Sequence, residues 1–263
     1  MKHIESLQNP LVKQWAQLLE KPRSRRASGE FIIEGEREIS LAIAGGYRVR
    51  TLIFDPSVGD VARISQMAPS ADTVSVGRDV YRKLAYREST EGVMAVAQSR
   101  PHGLENLELP PNPLILVAEA PEKPGNIGAL LRTADAAGVD GVIIADISGD
   151  LYNPNVIRSS VGCVFTTRIA VATSHEAIAF LKQRHIAIFA AALQNAVPYL
   201  NANFTGSCAI AVGTEATGLS HAWREAARQT VIIPMAGVID SMNVSVAAAV
   251  LIFEARRQRS INE

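Results

Sequence analysis

Cysteine is close to absent from this chain. Cys163 and Cys208 are the only two in 263 residues, far apart in apolar surroundings, with no Cys-x-x-Cys spacing and no nearby pair of histidines. Both thiols read as buried and structural, and no metal site is expected. An excess of either charge is also missing: Lys and Arg total 26, Asp and Glu total 26, and the formal net charge is zero. Global charge therefore does not announce a nucleic-acid binder, and any electrostatic footprint must be local. No apolar run approaches the ~18 residues that span a bilayer. The opening Met1-Lys2-His3-Ile4-Glu5 has no apolar signal core. Together these absences point to the cytoplasm. What is present is apolar material, 48% of the residues, enough for one large domain or two modest ones with a proper core.

Asn9-Pro10 followed by Leu11, Val12, Trp15, Leu18 and Leu19 reads as a capped amphipathic helix. It runs into Lys21-Pro22-Arg23-Ser24-Arg25-Arg26, the densest basic cluster in the chain. Such a run is usually a solvated turn; here it is also the best candidate for gripping phosphates. Strands are expected over Phe31–Ile33, Val49–Phe54, Thr73–Val76 and Val93–Ala97, with helices over Glu36–Ala44, Val61–Met67 and Asp79–Leu84. Residues 1–98 thus read as a small α/β module. Residues 99–113 carry Pro101, Pro110, Pro111 and Pro113 with little apolar periodicity, and read as a linker.

From Leu114 the pattern becomes strictly βα. Apolar strands at Leu114–Val117, Val142–Ile144, Ile169–Val171, Ile186–Ala191, Ala209–Val212 and Val231–Ile233 are separated by helical stretches. Continuous apolar strands alternating with helices imply a parallel sheet with helices on both faces, whose ligands bind beyond the carboxyl ends of the strands. Three unusual segments lie there. The first is Asn126-Ile127-Gly128-Ala129-Leu130-Leu131-Arg132, in which Asn126 can cap a helix. As a dinucleotide fingerprint it fails, because GxGxxG is incomplete and no acid follows where one is needed. The second is Gly213-Thr214-Glu215-Ala216-Thr217-Gly218-Leu219, where glycines flanking one acid suit a backbone that approaches a ligand closely. The third runs from Ile233-Pro234-Met235 through Gly237 to Ser241-Met242-Asn243-Val244-Ser245 and into a long apolar helix that Asn243 or Ser241 can cap.

As a set, in this order and spacing, NxGxxxR, GTExxGL and IPMxGxxxSMNVSVAxA resemble the three motifs of the SpoU (TrmH-like) branch of the SPOUT RNA methyltransferases, over about residues 114–258. The intervening segment from Tyr152-Asn153-Pro154 to Val161-Gly162 is similar to a family segment as well, and residues 1–98 resemble, less strongly, an L30e-like RNA-binding domain. Met242 stands where the family more often has Leu, a volume-conserving change. The resemblance implies a C-terminal domain, 114–263, tied in a deep trefoil knot. It implies S-adenosylmethionine held by Leu193, by Gly213, Thr214, Glu215 and Gly218, and by Ile233, Pro234, Met235, Ser241, Met242, Asn243 and Val244. It also implies a homodimer that methylates a ribose 2′-hydroxyl in RNA. Ribosomal RNA is preferred over transfer RNA because of the separate N-terminal module.

The same resemblance puts Arg132 nearest the attacking oxygen, with Asn126, Glu215, Ser241 and Asn243 as the other catalytic residues. A guanidinium holds its proton strongly, so orienting phosphate and hydroxyl is the favoured role for Arg132, with an assisted proton transfer. Asn126 would position Arg132 or the target nucleotide; Ser241 and Asn243 would bond around the ribose and cofactor. As plain helix caps all three would look identical in sequence. Glu215 would orient Arg132, contact the substrate, or satisfy a helix N-terminus. Lys21, Arg23, Arg25 and Arg26, with Arg132, are the expected RNA contacts. The alternatives are a non-catalytic RNA-binding protein that keeps the scaffold and, from βα grammar alone, a dehydrogenase that lacks its fingerprint.

Overall fold

The computed structural model describes residues 2–86, 91–214, 217–239 and 241–260. The chain divides into two compact units, residues 1–101 with 150–166 and residues 102–149 with 167–263.

In the first unit, β1 (Lys2–Ile4), α1 (Pro10–Glu20), α2 (Pro22–Ser28), β2 (Glu30–Glu34), α3 (Glu36–Ala44), β3 (Val49–Phe54), α4 (Val61–Met67), β4 (Asp72–Val76), α5 (Arg78–Leu84) and β5 (Val93–Gln98) follow in order. The sheet order is β1-β4-β3-β5-β2, with β1, β4 and β3 parallel and β5 antiparallel to both of its neighbours. Helices α1 and α5 bury Val12, Trp15 and Leu18 and Val80, Tyr81 and Leu84 in one core with Ile32, Met94 and Val96. A second cluster is aromatic. Phe31 stacks on Tyr152 at 4.1 Å between centroids, and Tyr47 meets Phe31, Tyr152 and Phe165 edge-on. Burial pushes the Tyr47 and Tyr152 phenols above the usual tyrosine range, so both remain neutral.

Two elements of this unit differ from the sequence expectation. Strand β1 is short and mostly polar, and was not expected; it pairs with β4 from Lys2 opposite Val74 to Ile4 opposite Val76. The basic run is not a turn but α2, begun by Pro22 in its first turn and stopped by Gly29 at φ +67°. Coiling the run into a helix turns Arg25 inward, and that corrects its assignment as an RNA contact. Its side chain is 3% exposed, pairs with Asp150 and donates to the carbonyls of Leu18 and Leu19. Those carbonyls belong to the last turn of α1 and have no helical partner of their own. Lys21, Arg23 and Arg26 stay exposed.

The second unit holds β6 (Leu114–Glu119), α6 (Pro124–Ala136) and β7 (Gly141–Ala145). The next helix, α7 (Pro154–Ser159), falls in the first unit, capped by Asn153, whose side chain accepts from the Asn155 N–H. The second unit resumes with β8 (Ile169–Ala172), α8 (Ser174–Gln183), β9 (Ala187–Ala191), β10 (Val197–Pro198), β11 (Cys208–Val212), α9 (His221–Ala226), β12 (Gln229–Ile232) and α10 (Val244–Ser260). All seven strands run parallel in the order β10-β12-β9-β11-β6-β7-β8. Every residue of β6, β7 and β11 is buried, as continuous apolar strands in a sheet covered on both faces require. Ile115 and Val117 join a core with Phe180 and Leu181 of α8 and Trp223 of α9, while α10 packs on α6, β6 and β11. The two-residue β10 was not anticipated. Nor is Asn126 the cap of α6: the helix already starts at Pro124, with Lys123 at the cap position, so Asn126 sits inside the first turn.

Replacing one member of a buried ion pair strands the other, at about 3–5 kcal/mol. Arg25→Ala is expected to lose about that much stability in urea unfolding, whereas Arg23→Ala and Arg26→Ala stay within about 0.5 kcal/mol of the parent. Equal stability of all three variants would contradict the buried role of Arg25.

Candidate active site

The second unit contains a cavity of about 310 Å³ just past the carboxyl ends of β9, β11 and β12. Residues 191–194 at and after the end of β9, residues 212–214 and 217–219 at and after the end of β11, and residues 231–233, Met235, Ser241, Met242 and Val244 at and after the end of β12 line it; Arg224 of α9 and Ala247 and Leu251 of α10 complete the lining. β9 lies between β12 and β11 in the sheet, so the three loops emerge side by side. That is where a parallel sheet presents its ligand crevice.

Of the residues expected to hold a cofactor, Leu193, Gly213, Thr214, Gly218, Ile233, Met235, Ser241, Met242 and Val244 line the cavity. Pro234 and Asn243 do not, and Glu215 lies outside the described residues. Gly213 is also needed for a second reason. A Cβ there would collide with the backbone of Gly218 and Leu219, because the loop folds back on itself through a Thr214–Gly218 bridge. Gly218 adopts φ +66°, a left-handed conformation that glycine tolerates without cost. The Thr214 and Thr217 hydroxyls bond to each other at 2.8 Å, and the Thr217 N–H donates to Thr214 Oγ1. Thr214, Thr217 and Gly218 are thus held together by their own backbone and side chains.

Glu119, buried at the end of β6, braces the same loop. It accepts from the Ser220 N–H and the Ser174 hydroxyl, and Ser174 Oγ in turn accepts from the Trp223 indole. Among the lining residues that sequence reasoning missed are Ala191, Ala192, Gln194, Thr217 and Arg224. Nothing marks the small residues after β9 as special, and Arg224 is indistinguishable in sequence from any surface cation of a helix.

The three motifs converge only in part. Asn243 caps α10, its Oδ1 accepting from the Ser245 N–H at 2.9 Å, and its Nδ2 donates to Asn126 Oδ1 at 3.2 Å. That hydrogen bond joins the first and third motifs. Ser241 faces the cavity. Arg132 is exposed on α6, does not line the cavity, and makes no hydrogen bond or ion pair among the described residues. Lys21, Arg23 and Arg26 belong to the other unit. Among the described residues no group of three or more His, Cys, Asp or Glu is arranged to hold a metal ion, and no helix is long and apolar enough to cross a membrane.

The second unit and its cavity define a parallel α/β fold with a largely apolar ligand crevice at its strand ends, in which Arg224 is the one charged described lining residue. The chain belongs to the SpoU rRNA Methylase family, whose model matches residues 113–253, and residues 9–95 match an MRM3-like substrate binding domain. It is 32% identical to the 23S rRNA (uridine(2479)-2'-O)-methyltransferase of Streptomyces viridochromogenes, over 95% of this chain and 91% of that protein. It is 30% identical to the 23S rRNA (guanosine(2553)-2'-O)-methyltransferase RlmP of Bacillus subtilis (strain 168), over 97% of this chain and 100% of that protein. The crystal structure of the SpoU methyltransferase AviRb from Streptomyces viridochromogenes in complex with the cofactor AdoMet superposes with a TM-score of 0.89 at 32% identity, covering 96% of this chain and 99% of that one.

Because the 213–219 loop closes on Gly213, Gly213→Ala must displace backbone rather than a side chain. Calorimetric titration with an adenosyl ligand is expected to show at least about tenfold weaker binding than the parent, a loss of 1.4 kcal/mol or more. Gly206→Ala, whose added methyl meets nothing within 4 Å, is expected to bind normally. Unaltered binding by Gly213→Ala would remove this loop from the site.

Proposed function

We propose that this protein transfers a methyl group from S-adenosylmethionine to a ribose 2′-hydroxyl of ribosomal RNA. The observation that carries the reading is the cavity formed by the loops after β9, β11 and β12, in a chain of the SpoU family. Its size falls at the lower end of small-molecule sites, about 300–1,000 Å³. An apolar lining with the Ser241 and Thr214 hydroxyls suits a nucleoside with an aliphatic arm. When bound, S-adenosylmethionine supplies an electrophilic methyl group on a sulfonium.

The chain's own residues do the rest. Asn243, fixed by capping α10, positions Asn126 through their mutual hydrogen bond. Arg132, on the same helix as Asn126 and without partners among the described residues, is available to a phosphate or hydroxyl of the RNA. Its work is alignment, since a guanidinium gives up its proton poorly. Lys21, Arg23 and Arg26 supply phosphate contacts from the substrate-binding unit, and we assign Glu215 to orienting Arg132. The trefoil knot and the homodimer belong to the same reading. In support of the dimer, Val246 and Phe253, seven residues apart and hence on one face of α10, are 52% and 50% exposed. A ribosomal RNA substrate fits a cytoplasmic location.

Methyl incorporation into purified ribosomal and transfer RNA, followed by mapping of 2′-O-methyl positions, tests the reading. Incorporation at a 2′-oxygen of ribosomal RNA is expected. Incorporation only into transfer RNA, or none, refutes it.

Two variant sets divide the labour. Arg132→Ala should keep cofactor and most RNA affinity while single-turnover methylation falls by at least about a hundredfold, as for a group acting mainly in the transition state. The Lys21, Arg23 and Arg26 to Gln triple variant should weaken RNA binding and flatten its salt dependence by about 0.7 in log–log slope per lost contact. Cofactor affinity in that variant should be unchanged. A normal rate in Arg132→Ala, or an unchanged salt slope in the triple variant, would break the respective assignment.

A further inference from the structure

Arg224 stands out within the cavity. Every other described lining residue is apolar or a neutral polar residue; Arg224 alone is charged. It sits four residues past Ser220, half-buried, and its Nη1 donates to the Leu219 carbonyl at 2.6 Å. That bond ties the guanidinium to the loop that forms one wall, and Leu219 itself is buried. A guanidinium carries five N–H donors in a rigid fork, so one bond to a carbonyl leaves donors for a ligand. No carboxylate among the described residues pairs with it.

We infer that Arg224 is an anion subsite of this cavity and receives the α-carboxylate of S-adenosylmethionine. The inference rests on the cofactor assignment proposed above and deepens it. The cofactor carries a sulfonium, an ammonium and one anionic group, the carboxylate of its methionine arm. Withdrawing a carboxylate from water into an apolar cavity is costly unless an opposite charge and hydrogen bonds meet it. The Thr214 and Thr217 hydroxyls bond to each other and carry no charge, which leaves Arg224 as the described group that can. A carboxylate anchored there also holds the guanidinium at the opposite end of the methionine arm from the sulfonium, so those two cations are kept apart.

The test is calorimetric and needs no turnover. S-adenosylmethionine and its decarboxylated analogue, which differ only in the carboxylate, are titrated into the full-length protein, its Arg224→Gln variant and its Arg224→Lys variant. The parent is expected to prefer the carboxylate-bearing ligand by about tenfold or more, the scale of one charge-assisted hydrogen-bonded pair. Arg224→Gln should bind the analogue as the parent does and lose the preference, while Arg224→Lys keeps part of it. Equal affinity of the parent for both ligands overturns the subsite without recourse to any variant. Equal losses for both ligands in Arg224→Gln overturn it too, since they mark a structural arginine. An intact preference with weakened RNA binding in Arg224→Gln would assign the guanidinium to a phosphate instead. If the parent binds neither ligand, the cofactor reading itself fails, and that outcome is distinct from a lost preference.

Discussion

A helix that closes a ligand cavity has to be stopped from sliding, and here α10 is held at both ends by side chains bonded to backbone. Arg259, 8% exposed, donates to the carbonyls of Asn112, Pro113, Phe204 and Gly206 and to the Cys208 sulfur. A buried guanidinium is tolerable only when its donors are met, and this arrangement meets them while tying the last turn of α10 to the starts of β6 and β11. A turn earlier, Arg256 donates to the Ala137 and Gly138 carbonyls at the end of α6, groups that the helix leaves unsatisfied. At the other end Asn243 caps the first turn and reaches Asn126. Held in this way, α10 presents Ala247 and Leu251, one turn apart, to the cavity.

Much of this fold was legible because its strands are continuous apolar runs with clear stops. The strand over residues 209–212 ends at Gly213, and the one expected over 231–233 is bounded by Pro234. What escaped had a weak signal or a misleading one. Strand β1 has one buried residue, and β10 has two residues in all. The Pro22 start and Gly29 stop of α2 were in plain view, but four basic side chains obscured them.

The same confusion of composition with placement affected Arg25. A run of like charges reads as a solvated face, yet a helix turns one of its positions inward, and that position found Asp150 and two helix-end carbonyls. With a formal net charge of zero, any field that draws RNA must come from few residues. Withdrawing one of the four from the surface changes the expectation more than it would in a strongly basic protein. In the site, motif residues located two of the three walls. The wall after β9 was named only by Leu193, because Ala191 and Ala192 carry no chemistry that a sequence reading can seize. Gly213, expected from sequence to let backbone approach a ligand, lines the cavity and is also required for the closeness of Gly213 to Gly218 and Leu219.

The two sides of the cavity differ in how much of their shape they own. On one side Thr214 is cross-bonded to Thr217 and Gly218, and Ser220 is held by Glu119, so a ligand meeting these residues has little ordering of them left to do. The loop from Pro234 to Ile239 is different: Pro234, Ala236 and Gly237 are exposed, and Val238 and Ile239 present large apolar side chains to solvent. Val246 and Phe253 on the helix that follows do the same. Apolar surface on consecutive parts of one segment is costly in an isolated chain and is relieved by whatever covers it. In the dimer proposed here, a second copy packed against α10 would cover the helix surface immediately after the third motif. The segment that shapes one wall of the cofactor cavity would then also be part of the assembly surface, and ligand affinity and association would be linked in both directions.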